Sequence, residues 1–255
     1  MSKRNDNQNL RRERIMGILR EEGFVSPENL SGILSVSAVT LRKDLDVMAS
    51  EGMVRRVSGG AVLPPDGGAR GQGRISCYAE KVSIARAVAD IVSDGDSLFL
   101  NAGTTCLEIA RALRSHHSLS IVTTALDVAM LLNEVQGFRV VLLGGELNTD
   151  QGFTHGSDAI DQISHYRTDW SVLSIDGISV GGGVTNCHSE EAPVDRVMIA
   201  NSKRAIIAAD HTKIGNAGFF RVCGISDKLM LVTDALADAS ELEAISSAGA
   251  EVVTA

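Results

Sequence analysis

Three things the chain lacks narrow what it is. No apolar run approaches the roughly 20 residues that a membrane-spanning helix needs, so no bilayer span is expected anywhere in the 255 residues. The opening Met1-Ser2-Lys3-Arg4-Asn5-Asp6-Asn7-Gln8 has no apolar stretch, and a secretory signal is not expected there. The four cysteines, Cys77, Cys106, Cys187 and Cys223, fall at neither zinc-ligand nor redox-pair spacing. No metal and no cofactor is expected, and a reducing, cytoplasmic compartment is the simplest reading. Internal repeats are absent, and so is low-complexity sequence beyond one short stretch.

An excess of basic charge is also missing from the whole chain, which carries a net −8. The average hides an asymmetry. Residues 1–63 hold 10 Lys+Arg against 8 Asp+Glu, a net +2, and the remainder holds 14 against 24, a net −10. A mildly basic head on a strongly acidic body suits a protein that touches nucleic acid at one end only.

The boundary between the two is legible. Pro64-Pro65-Asp66-Gly67-Gly68-Ala69-Arg70-Gly71-Gln72-Gly73 is turn chemistry with almost no apolar content. Such a stretch cannot bury itself and reads as a hinge. The expected domains are therefore 1–63, a linker over 64–76, and 77–255.

Within the head, Leu10, Arg14, Ile15, Ile18 and Leu19 describe one amphipathic helix, ended by Gly23. Ser26-Pro27-Glu28 reads as an N-cap with proline at the first helical position, opening a short helix with Leu30, Ile33 and Leu34. Ser37 caps a third helix with Val39, Leu41, Leu45 and Met48 inward, ended by Gly52. Met53–Val57 and Ala61–Leu63 are strand-like pieces around the turn Ser58-Gly59-Gly60. Three helices and a hairpin in this space make a winged helix-turn-helix. Thr40, Arg42 and Lys43 then face outward in the first turns of the third helix. In such motifs those turns meet base edges in the major groove, where Arg bonds guanine bidentately and Thr touches a methyl or phosphate. Arg55 and Arg56 lie on the wing, within reach of phosphates or the minor groove. By residue chemistry alone, a solvated basic face or a protein-contact module fits as well.

In the body, strands and helices alternate. The expected helices are Glu80–Val92, Thr104–Leu113, Ala125–Val135, Glu190–Ser202 and Ser240–Ala248. The expected strands are Ser97–Leu100, Ser120–Thr123, Arg139–Leu143, Ser171–Ile175, Ala205–Ala208, Lys228–Val232 and Glu251–Val253. Alternation of this kind predicts βαβ units and a mostly parallel sheet. Ligands of such sheets gather at the carboxyl ends of strands. Asn101-Ala102-Gly103-Thr104-Thr105 follows a strand and opens a helix, so free N–H groups and the helix dipole favour a phosphate there. A threonine-capped structural turn reads the same way. Thr123 and Asp176 fall at the same edge; Asp176 is suited to accept sugar hydroxyls. Lys213 either balances phosphate charge or is a surface lysine. His155 and His188 lie nearby, as ligand-tuning groups or as polar filling.

Two sets of residues carry a resemblance. In the head they are Val25-Ser26, Leu30, Val36-Ser37, Thr40-Leu41-Arg42-Lys43-Asp44-Leu45, Gly52, Arg56 and Gly59-Gly60-Ala61. In the body they are Glu80-Lys81, Asp94-Gly95-Asp96, Asn101-Ala102-Gly103-Thr104-Thr105, Leu143-Gly144-Gly145, Gly156, Asp176-Gly177-Ile178, Gly183-Val184-Thr185, Glu190-Glu191-Ala192 and Ala209-Asp210-His211-Thr212-Lys213. Together they resemble the DeoR family of transcriptional regulators over nearly the whole chain. The resemblance implies a winged helix-turn-helix followed by a mostly parallel α/β sensor domain like ribose-5-phosphate isomerase. It also implies a double-stranded DNA operator, a phosphorylated sugar effector and a homo-oligomer, dimer or tetramer. Ser37, Thr40, Arg42, Lys43, Arg55 and Arg56 would contact DNA. Asn101, Gly103, Thr104, Thr105, Thr123, Asp176 and Lys213 would bind the effector. One departure stands out: many members of the family carry aspartate where this chain has Asn101. The alternative function is an isomerase-like enzyme with an added DNA-binding head. Its pattern sets a lysine directly before a glycine run, and here Val180 precedes Gly181-Gly182-Gly183. A glutamate of that pattern survives as Glu190 or Glu191. Repression of a carbohydrate-catabolism operon without catalysis is therefore expected.

Overall fold

A computed structural model of the chain describes residues 11–12, 14–19, 24–34, 36–50, 54–57, 59–62 and 77–255. Two compact units divide between Tyr78 and Ala79. The expected stops at Gly23 and Gly52, Leu10, Met53, Ser58, Leu63 and the linker 64–76 lie outside the described residues.

In the first unit, α1 runs through residues 11–12 and 14–19. Strand β1 is Phe24–Val25, followed by α2 (Pro27–Leu34), α3 (Ala38–Ser50), β2 (Arg55–Val57) and β3 (Gly60–Val62). Both expected caps form: the Ser26 hydroxyl accepts from Asn29 N at 3.0 Å and the Ser37 hydroxyl from Thr40 N at 3.3 Å. Ile15, Leu19, Val25, Leu30, Leu41, Leu45 and Met48 have no exposed surface and make one small core. The wing is antiparallel, with strand order β1-β3-β2. Gly60 is required there, since a Cβ would lie 2.1 Å from Val25 O. Removing the cap with Ser37→Ala should cost this unit about 1 kcal/mol. A chemical-denaturation midpoint followed by helical circular dichroism would register that loss, and an unchanged midpoint would deny the cap any role. One expectation fails: Val39 is 61% exposed. Leu41, Leu45 and Met48 form the inward stripe at spacings of four and three, and Val39 lies on the opposite side of α3.

The second unit begins with α4 (Tyr78–Ile91) and β4 (Ser97–Leu100). Next come α5 (Thr104–Leu113), β5 (Ser120–Thr123), α6 (Leu126–Leu132) and β6 (Arg139–Leu142). An antiparallel pair, β7 (Glu146–Asn148) and β8 (Phe153–His155), leads to α7 (Ser157–Ser164) and β9 (Thr168–Ser174). The hairpin β10 (Gly177–Ser179) and β11 (Gly183–Asn186) precedes α8 (Glu191–Ala200) and β12 (Ser202–Ala208). A 3-10 turn (His211–Lys213), β13 (Phe220–Cys223), β14 (Leu229–Thr233), α9 (Ala239–Ser247) and β15 (Glu251–Thr254) complete it.

Seven strands form a wholly parallel sheet in the order β15-β14-β12-β9-β4-β5-β6. Its inner strands are mostly buried on both faces, as parallel strands usually are, while the edge strands β6 and β15 are partly exposed. Leu98 and Leu100 pack on one side with Ile121, Val172 and Ile206. Phe99 packs on the other with Val122, Leu173 and Ile207. Helices α4, α5 and α6 cover the first face, and α7, α8 and α9 the second. This division results from direction. The chain steps outward from β4 to β6, then returns to pair β9 with β4 and steps out the opposite way. Crossovers of one hand taken in opposite directions must land on opposite faces. The short antiparallel sheet β10-β11-β13 lies outside the sequence expectation, as do β7, β8 and α7. No helix among the described residues is long and apolar enough to cross a membrane.

Candidate functional site

On the head, the outward face of α3 presents Val39, Arg42 and Lys43, which share a face at spacings of three and four. Arg42 and Lys43 are exposed. Arg42 reaches back to α2, with Nη2 2.6 Å from Glu28 Oε1. Both side chains of that pair are more than half exposed, so it holds the guanidinium in place and adds little stability. Arg56 sits 3.0 Å from Asp46 and donates to Gly60 O at 2.9 Å, pinning the wing to α3. Arg55 is placed by its backbone, opposite Val62 in the hairpin. Ser37 and Thr40 are occupied with each other and with the helix start, their hydroxyls 2.9 Å apart. Inside the unit, Arg11 pairs with the buried Asp44 at 2.6 Å, tying α1 to α3. Val39, Glu28 and Asp46 also belong to this face, and residue chemistry alone does not mark them.

In the second unit the sheet reverses its order between β4 and β9. At such a switch point the two crossovers leave on opposite sides and open a crevice beyond the strands' carboxyl ends. The segments leaving those two strands therefore line it. After β4 comes Asn101, then Gly103 as the N-cap of α5, with φ +132° and no side-chain cap. That φ favours glycine, and a Cβ would lie 2.9 Å from the Ser174 hydroxyl. The first turn of α5 thus offers N–H groups that no side chain caps, with Thr104 half-buried beside them. After β9 comes Asp176, which accepts from Cys187 N at 2.8 Å and faces Lys213 Nζ at 3.7 Å.

Beneath this lies a buried polar network. Asn101 Nδ2 donates to Ser174 O at 3.0 Å and to the Asp195 carboxylate at 3.2 and 3.3 Å. Asn101 Oδ1 accepts from Ser174 N at 2.9 Å and from the Cys106 thiol at 3.1 Å. Asn186 Nδ2 donates to Asp195 at 2.7 Å. Asp195, on α8, is 1% exposed and has no ion pair among the described residues. Burial pushes its carboxyl up to about 7, against the opposing hydrogen bonds from Asn101 and Asn186. One turn earlier, burial pushes Glu191 up to about 8, helped by the charges of Asp195, Asp176 and Glu190.

The structure therefore gathers Asn101, Gly103, Thr104, Asp176 and Lys213 at one crevice. Three of the expected effector-binding residues are buried. Asn101 is buried with its amide fully engaged, so it positions β4 against β9 and α8. Thr105 is likewise buried. Thr123 has no exposed surface, its hydroxyl donating to Leu100 O at 2.6 Å and accepting from Ala125 N at 3.0 Å. Asp195 and Asn186 join the site without any signal in the sequence. Glu191 is more than a remnant carboxylate, because its spacing of four from Asp195 places both on one side of α8. Two cavities, of about 160 and 290 Å³, open at the amino-terminal edge of the sheet around Ser97, Arg167 and Thr168, away from this crevice.

Comparison with known proteins agrees with both units. Residues 11–66 match the DeoR-like helix-turn-helix domain, and residues 76–235 match the DeoR C terminal sensor domain. The glycerol-3-phosphate regulon repressor of Escherichia coli K12 is 35% identical over 230 residues, covering 89% of this chain and 91% of that protein. The HTH-type transcriptional repressor GlcR of Bacillus subtilis is 30% identical over 247 residues, covering 94% and 93%. Among solved structures, ribose 5-phosphate isomerase A from Methanocaldococcus jannaschii aligns with a TM-score of 0.40 at 15% identity, covering 54% of this chain and 55% of that one. The chain belongs to the DeoR family.

Proposed function

We propose that this chain represses a carbohydrate-catabolism operon and is released from DNA by a phosphorylated sugar. The outward face of α3 enters the major groove, with Thr40, Arg42 and Lys43 toward the bases and Arg55 and Arg56 toward the backbone. The sensor crevice takes the effector: phosphate at the first turn of α5 beside Lys213, sugar hydroxyls on Asp176. A homo-oligomer, dimer or tetramer, brings two heads to repeated half-sites. The observation that carries the reading is the uncapped start of α5 directly after β4, together with the Asp176–Lys213 pair beyond β9, the two strands that flank one switch point. That the relatives above are named as repressors, one for a glycerol-3-phosphate regulon, supports it. An isomerase reading has no such support, since Val180 stands where that chemistry needs a lysine.

The test pairs DNA with ligand. A duplex recovered by selection from a random pool should bind the full chain, and a sugar phosphate should weaken that complex. Arg42→Ala should lower DNA affinity about 5- to 100-fold, the worth of one bidentate base contact, and leave the thermal transition in place. Thr104→Ala should leave DNA affinity intact and weaken effector response. Equal damage to both activities by both variants would sink this division of labour.

A further inference from the structure

The other end of the sheet holds a cavity that the sensor reading does not use. It measures about 160 Å³ and is lined by the first residues of β5 and β6 and by the segment between α7 and β9. Strand register builds it. Ser120 lies opposite Arg139, and Val122 opposite Val141. Residues two apart in a strand share a face, so these four stand together on the side of the sheet that carries α7. Val122 and Val141 supply an apolar base. Around it are donors with no acceptor: the Arg139 guanidinium and the hydroxyls of Ser120 and Tyr166 make no hydrogen bond and no ion pair among the described residues. Arg167 has no carboxylate partner either. Its Nη1 donates to Ser164 O at 3.1 Å and Tyr166 O at 2.9 Å, which fixes the guanidinium and leaves Nε and Nη2 unbonded. Lys203, just beyond Arg167, shows the contrast, since it pairs with Asp169 at 2.6 Å. Two arginines without a carboxylate thus share one cavity in a region with 24 acidic residues against 14 basic ones.

We propose that this cavity is a second ligand site, separate from the sensor crevice, for a small organic anion. Its carboxylate or phosphate head lies between Arg139 and Arg167, and its compact apolar body rests on Val122 and Val141. A guanidinium matches either head bidentately, and the Ser120 and Tyr166 hydroxyls add neutral donors. An apolar cavity of about 150 Å³ holds a body the size of benzene. A body covered in hydroxyls would meet valine side chains there and lose its hydrogen bonds with water. The crevice begins at the opposite end of the same strands. From Ser97 to Leu100, β4 alone spans about 10 Å, so the two ligands do not overlap. The proposal does not depend on what the crevice takes.

The experiment is titration calorimetry of the full chain with four probes of one size: benzoate and phenyl phosphate, and the neutral benzamide and benzyl alcohol. One of the two anions should bind about tenfold or more tightly than the neutral probes, as hydrogen bonds to a charged group would give. Which anion it is names the head. Arg139→Ala and Arg139→Gln should each weaken that anion about tenfold or more. Both should leave the thermal transition in place, because Arg139 is exposed and its side chain holds no other part of the described structure. An anion whose binding survives both substitutions sits elsewhere, for instance on the basic head, and overturns the proposal. Equal binding of anions and neutral probes overturns it too, and so does binding of neither anion. No probe is a sugar phosphate, so each of these failures leaves the sensor reading standing.

Discussion

Asn101→Asp is expected to destabilise the sensor unit by about 2–4 kcal/mol at pH 8, although it exchanges one amide nitrogen for oxygen. The native nitrogen donates to Ser174 O and to both oxygens of Asp195 at 3.0–3.3 Å. An oxygen there meets only acceptors, and one of them belongs to a buried carboxylate. Two such charges cannot both ionise, so the pair keeps a proton or the site opens. The cost should shrink at pH 5, where that proton is freely available. Asp195→Asn in the same chain should recover most of the loss, because it restores a donor facing an acceptor. Trp170, the chain's one tryptophan, lies in β9 beside β4 and reports unfolding of this unit by fluorescence. A penalty independent of pH, or one that Asp195→Asn deepens, would refute this origin of the cost. The amide at this position thus has a local reason: the carboxylate it faces is supplied by Asp195 on α8.

The sensor unit should also lose stability as pH rises from about 5 to 8, opposite to the usual trend of a protein rich in paired carboxylates. In the unfolded chain, Asp195 and Glu191 ionise at their ordinary values of 3.8 and 4.5. Folded, they hold their protons up to about 7 and about 8. Between those limits the folded state binds more protons, so raising the pH favours unfolding. The stabilisation is complete below the unfolded values and gone above the folded ones. Together the two groups should account for about 2–4 kcal/mol, since their titrations are coupled and do not add. Asp169 does not mask the slope: hydrogen bonds from Lys203 and Ser97 hold it near 2, outside this window. Urea midpoints followed by Trp170 at pH 5, 6, 7 and 8 would show the decline, and Asp195→Asn should flatten it. A midpoint that rises across this range would contradict the assignment.

How far the sequence can be read depends on how much each residue's surroundings are local. Thr104–Leu113 and Ser120–Thr123 are legible to the residue, because a buried face written at helical or strand period belongs to the segment itself. Helix α6 stops at Leu132, short of the expected Val135, since the chain turns at Asn133 with apolar residues still to come. Helix α7 buries only Ala159 and Ile163, too thin a stripe to announce itself. Strands of three residues, such as β7 and β10, are too short to show alternation. Val39 is misplaced when its apolarity is weighed above its angle on the helix. At the crevice, Asn101, Gly103 and Asp176 are visible because they come directly after strands, and that edge is where ligands sit. Asp195 is not, because nothing within α8 says which neighbour its carboxylate will meet.

The pairing of β4 with β9 sets a timetable for synthesis. The contacts that close the head are short in sequence; Arg11 finds Asp44 33 residues on. The crevice needs Asn101 to meet Asp195 94 residues on, across a sheet whose central strands cannot pair until β9 has emerged. Folding slows as contacts lengthen, and nascent chains fold from the N-terminus onward. Each newly made molecule therefore passes through an interval in which its first unit has all of its chain and its second unit does not.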